Sequence, residues 1–286
     1  MPRVLAQDGA RDDGPRRQVC QALRDAVPGV TGLRRVNRGS WHQYMDGDDE
    51  LPGVTTILNA VLAKPALVGW AARMSAEYVV DHWDELTEMQ PSARLKAVRG
   101  ATDRTSKSAM ARGTRIHEMG ERLVHGLKVD VPDADVGPVE AYAHYLDTWH
   151  VVPLFTETTV AHRLYQYGGT LDLIGTDIRG LTFLGDIKTG SGVYPDVALQ
   201  LAAYRYAEVM LTDEGESPMP PVDVVQVMHV LPDTVRVVPV AADAAAFRAF
   251  LHLRETYRTV RPWKDLPPIG VPMDAPPTPP RLEVVP

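Results

Sequence analysis

A single cysteine, Cys20, stands in the 286-residue sequence, which leaves no internal disulfide and too few thiolates for a structural zinc or iron–sulfur site. That usage suits a reducing cytoplasm. There is no uninterrupted apolar run of spanning length, and the opening MPRVLAQDGARDDGPRRQVC is too polar to hold the apolar stretch of a secretory signal. A membrane role drops out, and the cytoplasm is the expected location. No Walker A string occurs, so helicase or ATPase work would have to come from a partner. Excess positive charge is missing too: 30 Lys and Arg against 37 Asp and Glu leave a net charge of −7. The whole molecule therefore has no global attraction to phosphate, and a nucleic acid would have to be met by a local patch.

What is present is an ordinary globular balance, 44% hydrophobic and 23% charged, which excludes collagen-like, coiled-coil and wholly disordered chains. Residues 1–30 mix Gly, Asp and Arg without apolar periodicity and read as a flexible lead. From Pro267 to Pro286 eight of twenty residues are proline, so residues 267–286 are expected to form an extended tail. The working body is 31–266, and it holds no solenoid repeat.

Within the body, β-like pieces are expected around Leu33–Tyr44 and Gly53–Leu58, broken by turn signals. Helical spacing follows over Pro65–Leu86, Thr114–Leu127 and Pro138–His150. After Pro153 the period falls to two in LFTETTVAHRLYQY, GTLDLIGTDI and LTFLGDIKT, with short Gly-bearing connections that suggest an antiparallel meander. A helix is expected over Pro195–Leu211, then strands VDVVQVMHVL and TVRVVPV, then a last helix from Ala242 to Val260. This order describes an α/β (α+β) core, a mixed β-sheet flanked by helices.

The string Leu184-Gly185-Asp186-Ile187-Lys188-Thr189 is the most informative. Period two puts Asp186 and Lys188 on one strand face and Ile187 on the other. Asp186 would offer Mg²⁺ a hard oxygen, and Lys188 could orient or deprotonate an attacking water or steady phosphate charge. The plain alternative is a surface ion pair, because an Asp-x-Lys triplet arises by chance about once in such a chain. Asp172, one strand earlier in GGTLDLIG, could converge with Asp186 on one cation if the strands pair; otherwise it is an acid near a turn. Upstream, a Gly-Thr break at Gly113-Thr114 is expected to start a helix on which His117 and Glu121 share a face. HEMGE lacks the second His of a zincin, so a zinc protease is excluded. Downstream, Gln200 and Tyr204 lie one turn apart on an otherwise apolar helix, where the alternative is a core-edge tyrosine and a rim glutamine.

Charge adds a further clue. Residues 94–128 carry nine basic and three acidic side chains, and Arg104, Lys107, Arg112 and Arg115 lead straight into the His117 helix. Such a run beside an acidic centre reads as a phosphate track or as an ordinary solvated face.

The ordered set His117, Asp172, Asp186-Ile187-Lys188 and Gln200-x-x-x-Tyr204 resembles the PD-(D/E)XK nuclease superfamily, specifically its RecB-like exonuclease branch, over about Val54 to Ala207. GVTTIL at Gly53–Leu58, with Lys64-Pro65-Ala66-Leu67 and Trp70, looks like the lead of phage-encoded members. The resemblance implies a restriction-endonuclease-like core and metal-dependent hydrolysis of DNA phosphodiesters. It implies that His117, Asp172, Asp186 and the Ile187 carbonyl hold Mg²⁺ or Mn²⁺, with Glu121 as a further ligand or support. Lys188 would position the water, and Gln200 and Tyr204 would support the site, with DNA as a candidate contact. Relatives with a four-cysteine iron–sulfur cluster are a departure, because Cys20 stands alone. The implied role is an exonuclease in recombination, repair or replication-end processing, with DNA and a single-strand-binding or recombination protein as partners, in a bacterial host's cytoplasm if phage-encoded. The other readings are a catalytically silent DNA-binding or complex-organising protein, and a metal-dependent hydrolase of another phosphate substrate.

Overall fold

The computed structural model describes residues 3–5, 32–39 and 41–264; Cys20 and the proline-rich tail lie outside them. The chain begins with β1 (Arg3–Leu5) and a three-stranded antiparallel sheet of β2 (Leu33–Arg38), β3 (Trp41–Asp46) and β4 (Asp49–Leu51). Helices α1 (Val54–Val61), α2 (Pro65–Asp81), α3 (Trp83–Glu88) and α4 (Pro91–Val124) follow. Strand β5 (Val129–Val131) pairs antiparallel with β1, so the stretch expected to be a loose lead contributes a strand. After α5 (Val136–Thr148) come β6 (Val152–His162), β7 (Tyr167–Thr176) and β8 (Thr182–Lys188), the expected meander. The chain continues through α6 (Asp196–Arg205), β9 (Val209–Thr212), β10 (Gly215–Pro218), β11 (Val224–Val230), β12 (Val235–Pro239) and α7 (Ala244–Val260).

The main sheet has seven strands in the order β10-β9-β6-β7-β8-β11-β12. It is mixed, because β8 and β11 run parallel while the other neighbours are antiparallel. One face is covered by α1, α6 and α7, whose Ile57, Leu201 and Phe250 join Ile174, Leu184 and Val227 of the sheet in one core. The other is covered by α4 and α5, whose Met119, Leu123, Tyr142 and Tyr145 join Phe183, Ile187 and Met228 in a second core. The expected mixed sheet flanked by helices is present. Among the described residues no single helix is long and apolar enough to cross a membrane.

Four local expectations need correction. A β piece is expected around Gly53–Leu58, yet Val54, Ile57 and Leu58 are buried at helical spacing, and burying that face outweighs a weak strand bias. The helix expected over Pro65–Leu86 breaks at His82, whose Nδ1 donates to the Tyr78 carbonyl and whose ring stacks on the Tyr78 ring. The helix expected over Pro195–Leu211 stops at Arg205, because Val209–Thr212 is captured as a strand by β6 and β10 and Met210 is fully buried there. Finally, Gly113-Thr114 does not start a helix. Helix α4 runs unbroken for 34 residues, since one interior glycine costs only about 1 kcal/mol. A Cβ at Gly113 would stand 3.2 Å from Thr189 Oγ1, so glycine lets the helix pass close to the end of β8.

Candidate metal centre

Three neighbouring strands bring their acids to one level. Thr156 pairs with Leu173 and Thr158 with Leu171, so Glu157 of β6 lies opposite Asp172 of β7. Leu173 pairs with Gly185, and one step further along that register Asp172 meets Asp186 of β8. The β7–β8 ladder ends at Leu173–Gly185, and there the Ile187 N–H donates to Asp172 Oδ2 at 2.7 Å. A side-chain carboxylate thus replaces a ladder carbonyl where the two strands part.

Helix α4 crosses this end of the sheet and supplies His117, whose Nδ1 lies 3.7 Å from Asp172 Oδ2. Its approach is close because a Cβ at Gly120 would stand 3.2 Å from the Tyr142 ring. His117, Glu157 and Asp172 each offer one ligand atom, and these atoms all lie within 4.8 Å of one another. Glu121, Val124, Tyr142, Thr156, Leu173 and Ile187 complete the walls of a narrow crevice of about 10 Å³, room for one water or one ion. Glu157 adopts φ 44, a left-handed conformation that costs a non-glycine residue about 1–3 kcal/mol and is found where surroundings hold a side chain to a task.

On the α6 side of β8 stand Asp186 and Lys188, with Ile187 turned into the opposite core, as period two requires. Asp186 is 2% exposed. Its Oδ1 accepts from Gln200 Nε2 at 3.0 Å, and its Oδ2 lies 2.7 Å from Lys188 Nζ. That ion pair is not aligned as a hydrogen bond, so Oδ2 is a buried acceptor with no directed donor. Gln200 also reaches the Tyr204 hydroxyl at 3.5 Å. Tyr204 is 3% exposed and packs on Gly169, where a Cβ would collide with its ring. It supports Gln200 from the core, with little of its surface open to solvent.

The electrostatics follow from this crowding. Burial, then the charges of Asp172 and Glu121, push Glu157 up to about 7, with Arg35 opposing. Burial and the Asp172 charge push Asp186 up to about 7, against Lys188 and Gln200. For Lys188 burial favours the neutral amine, but Asp186 and Asp172 outweigh it and hold the ammonium above its ordinary range. Carboxylates held this close to each other and to an imidazole invite a cation. The donor set of hard oxygens with one histidine nitrogen fits Mg²⁺ or Mn²⁺, and the undirected Oδ2 of Asp186 is consistent with that fit.

The structure therefore gathers His117, Glu121, Asp172 and Ile187 around the crevice, and Asp186, Lys188, Gln200 and Tyr204 on the adjoining side of β8. Glu157 was missed. Its signal is a carboxylate inside the β-branched run of β6, visible only once the β6–β7 register is known. The four expected DNA contacts all lie on α4, but three have partners within the protein. Arg112 Nε and the Nε and Nη2 of Arg115 donate to the fully buried Asp135 carboxylate at 3.0–3.1 Å. Arg104 turns back to the Ala97 carbonyl at 3.1 Å and lies over the Tyr78 ring. Lys107 is exposed. Compared with known proteins, the chain matches no family model and no curated protein.

Proposed function

We propose that this chain is a Mg²⁺- or Mn²⁺-dependent DNA nuclease of the PD-(D/E)XK type, acting as an exonuclease. The observation that carries the reading is the meeting of the His117–Glu157–Asp172 cluster with the buried Asp186 and its half-exposed partner Lys188 at the parted end of β7 and β8. His117, Glu157, Asp172, Asp186 and the Ile187 carbonyl would hold the cation, with Glu121 beside them. When bound, the cation supplies charge neutralisation at the phosphate and acidification of water.

The chain's own groups divide the remaining work. Lys188 stays an ammonium under the pull of Asp186 and Asp172, which supports a charged donor that orients water and phosphate oxygens over a neutral base. Gln200 fixes Asp186, and through it the position of the Lys188 ammonium. In the reaction the water oxygen bonds to phosphorus as the bond to the leaving sugar oxygen breaks; the proton lost by water and the one gained by that oxygen exchange with solvent.

Recombination, repair or replication-end processing in the cytoplasm is the setting we propose, with DNA and a single-strand-binding or recombination protein as partners. The test is a time course on end-labelled linear and covalently closed circular DNA with Mg²⁺ or Mn²⁺, chelator, and Asp186→Ala. Metal-dependent loss of linear DNA with circles spared is expected. Cutting of circles would make the chain an endonuclease. DNA binding without any cleavage that Asp186 controls would favour the silent binding protein.

A further inference from the structure

A second recess opens on the α6 side of β8. It is an open groove of about 240 Å³ between α1, Lys64 and the loop that leads from β8 into α6, a little under the range of about 300–1,000 Å³ for sites that enclose a whole small ligand, so it suits one end of a larger ligand. Lys188 and Gln200 line it, so it borders the groups that hold Asp186. Its apolar lining comes from Leu58, Val193 and Val197. Lys64 lines it too; its Nζ donates to Asn59 Oδ1 at 2.8 Å and pairs at 3.3 Å with Asp196, a carboxylate of the same groove, which fixes where the second ammonium stands. Tyr194 also lines it and is 56% exposed.

Tyr194 is exposed but not loose. Its carbonyl accepts from the Val197 N–H at 3.1 Å as α6 begins. The loop before it is held by His229, whose Nε2 lies 2.8 Å from the Gly190 carbonyl. A solvent-facing aromatic on an anchored backbone, beside two ammonium groups and a small apolar lining, is the chemistry that recognises an unpaired nucleotide. The ring offers a stacking face to any base, and the cations meet its phosphates. A closed duplex offers no free base face and is too wide for a recess of this volume.

We infer that this groove takes the unpaired terminal nucleotide of a DNA strand, its base stacked on Tyr194 and its phosphates between Lys64 and Lys188. The inference rests on the nuclease reading and deepens it: the substrate is a frayed or overhanging strand end, and the groove sets the next phosphate beside Lys188.

The experiment uses DNA with 2-aminopurine at the terminal position, as a short overhang or a blunt end, titrated with the full chain in chelator. Wild-type protein is expected to quench the overhang signal. Tyr194→Phe retains the quench, while Tyr194→Ala loses it with about tenfold weaker binding. Lys64→Ala lowers the salt slope of overhang binding by about 0.7. Blunt-end affinity stays equal among the Tyr194 variants, and because the side chain is exposed their melting temperatures match wild type. If Tyr194→Ala binds the overhang as wild type does while Asp186-dependent hydrolysis persists, the groove assignment falls alone. If no DNA is bound and no hydrolysis depends on Asp186, the nuclease reading falls with it.

Discussion

At the scale of single residues, the protein holds two acids in a state that water would not. Glu157 and Asp186 both sit near 7 because burial and the neighbouring Asp172 charge disfavour their ionised forms. Acids whose folded pKa exceeds the unfolded value bind more protons folded than unfolded. Without metal, their contribution to stability is therefore greatest at low pH and declines as pH rises from the ordinary carboxylate range through about 7. On the proposed function, a divalent cation would replace those protons and reverse the penalty. The expected outcome is that, in chelator, the melting temperature of wild type falls from pH 5 to pH 8 relative to Glu157→Gln, and that Mn²⁺ raises it more at pH 8 than at pH 5. Parallel melting profiles for the two proteins would show that Glu157 carries no such shift.

At the scale of elements, α4 does two jobs along one uninterrupted length. Its middle clamps Asp135 through Arg112 and Arg115, and its last turns deliver His117 and Glu121 to the sheet. The clamp predicts that Arg112→Ala/Arg115→Ala loses roughly 3 kcal/mol of stability, near the lower bound for stranding a buried charge because both guanidinia are half-exposed. A urea midpoint shift at unchanged slope checks this; loss of DNA affinity with no change in midpoint would assign the pair to DNA alone. A comparable latch ties the small sheet to the main one. Arg163 donates to Asp46 and Glu216, and Glu216 in turn accepts from the Gly32 and Leu33 N–H groups.

The same scale explains what could be read in advance. The strands β6, β7 and β8 were legible from their β-branched and apolar runs bounded by short Gly-bearing connections, although burial on both faces leaves little alternation along them; Asp186, Lys188 and Gln200 were singled out by local spacing. Glu157 was not legible, since its partner Asp172 is set by register between strands. Asp135 was not legible either, so Arg112 and Arg115 looked like free charges. The helix through Gly113 was hidden because the reason for that glycine, Thr189 at the end of β8, is remote in sequence. Tyr204 was found in sequence but its burial was not, because the space it fills is made by Gly169 on another strand.

At the scale of the whole molecule, a sheet between two helical layers lets each layer contribute to one strand end. The α4 layer brings His117 to one side of β8, and the α6 layer brings Gln200 to the other. Asp172, bonded to the Ile187 N–H, joins the two sides. With an overall charge of −7, the proposed function would place the burden of phosphate attraction on the proposed cation and on Lys188, and not on the surface at large. The central claim is thus that hydrolysis of DNA needs both the cation and the Lys188 ammonium. The most direct measurement is the rate of nucleotide release from linear DNA by wild type and Lys188→Met, each in Mg²⁺ and in chelator. Release by wild type in Mg²⁺ only, with a fall of about a hundredfold or more in Lys188→Met, is the predicted result. Equal release by the two proteins, or release that persists in chelator, would contradict it.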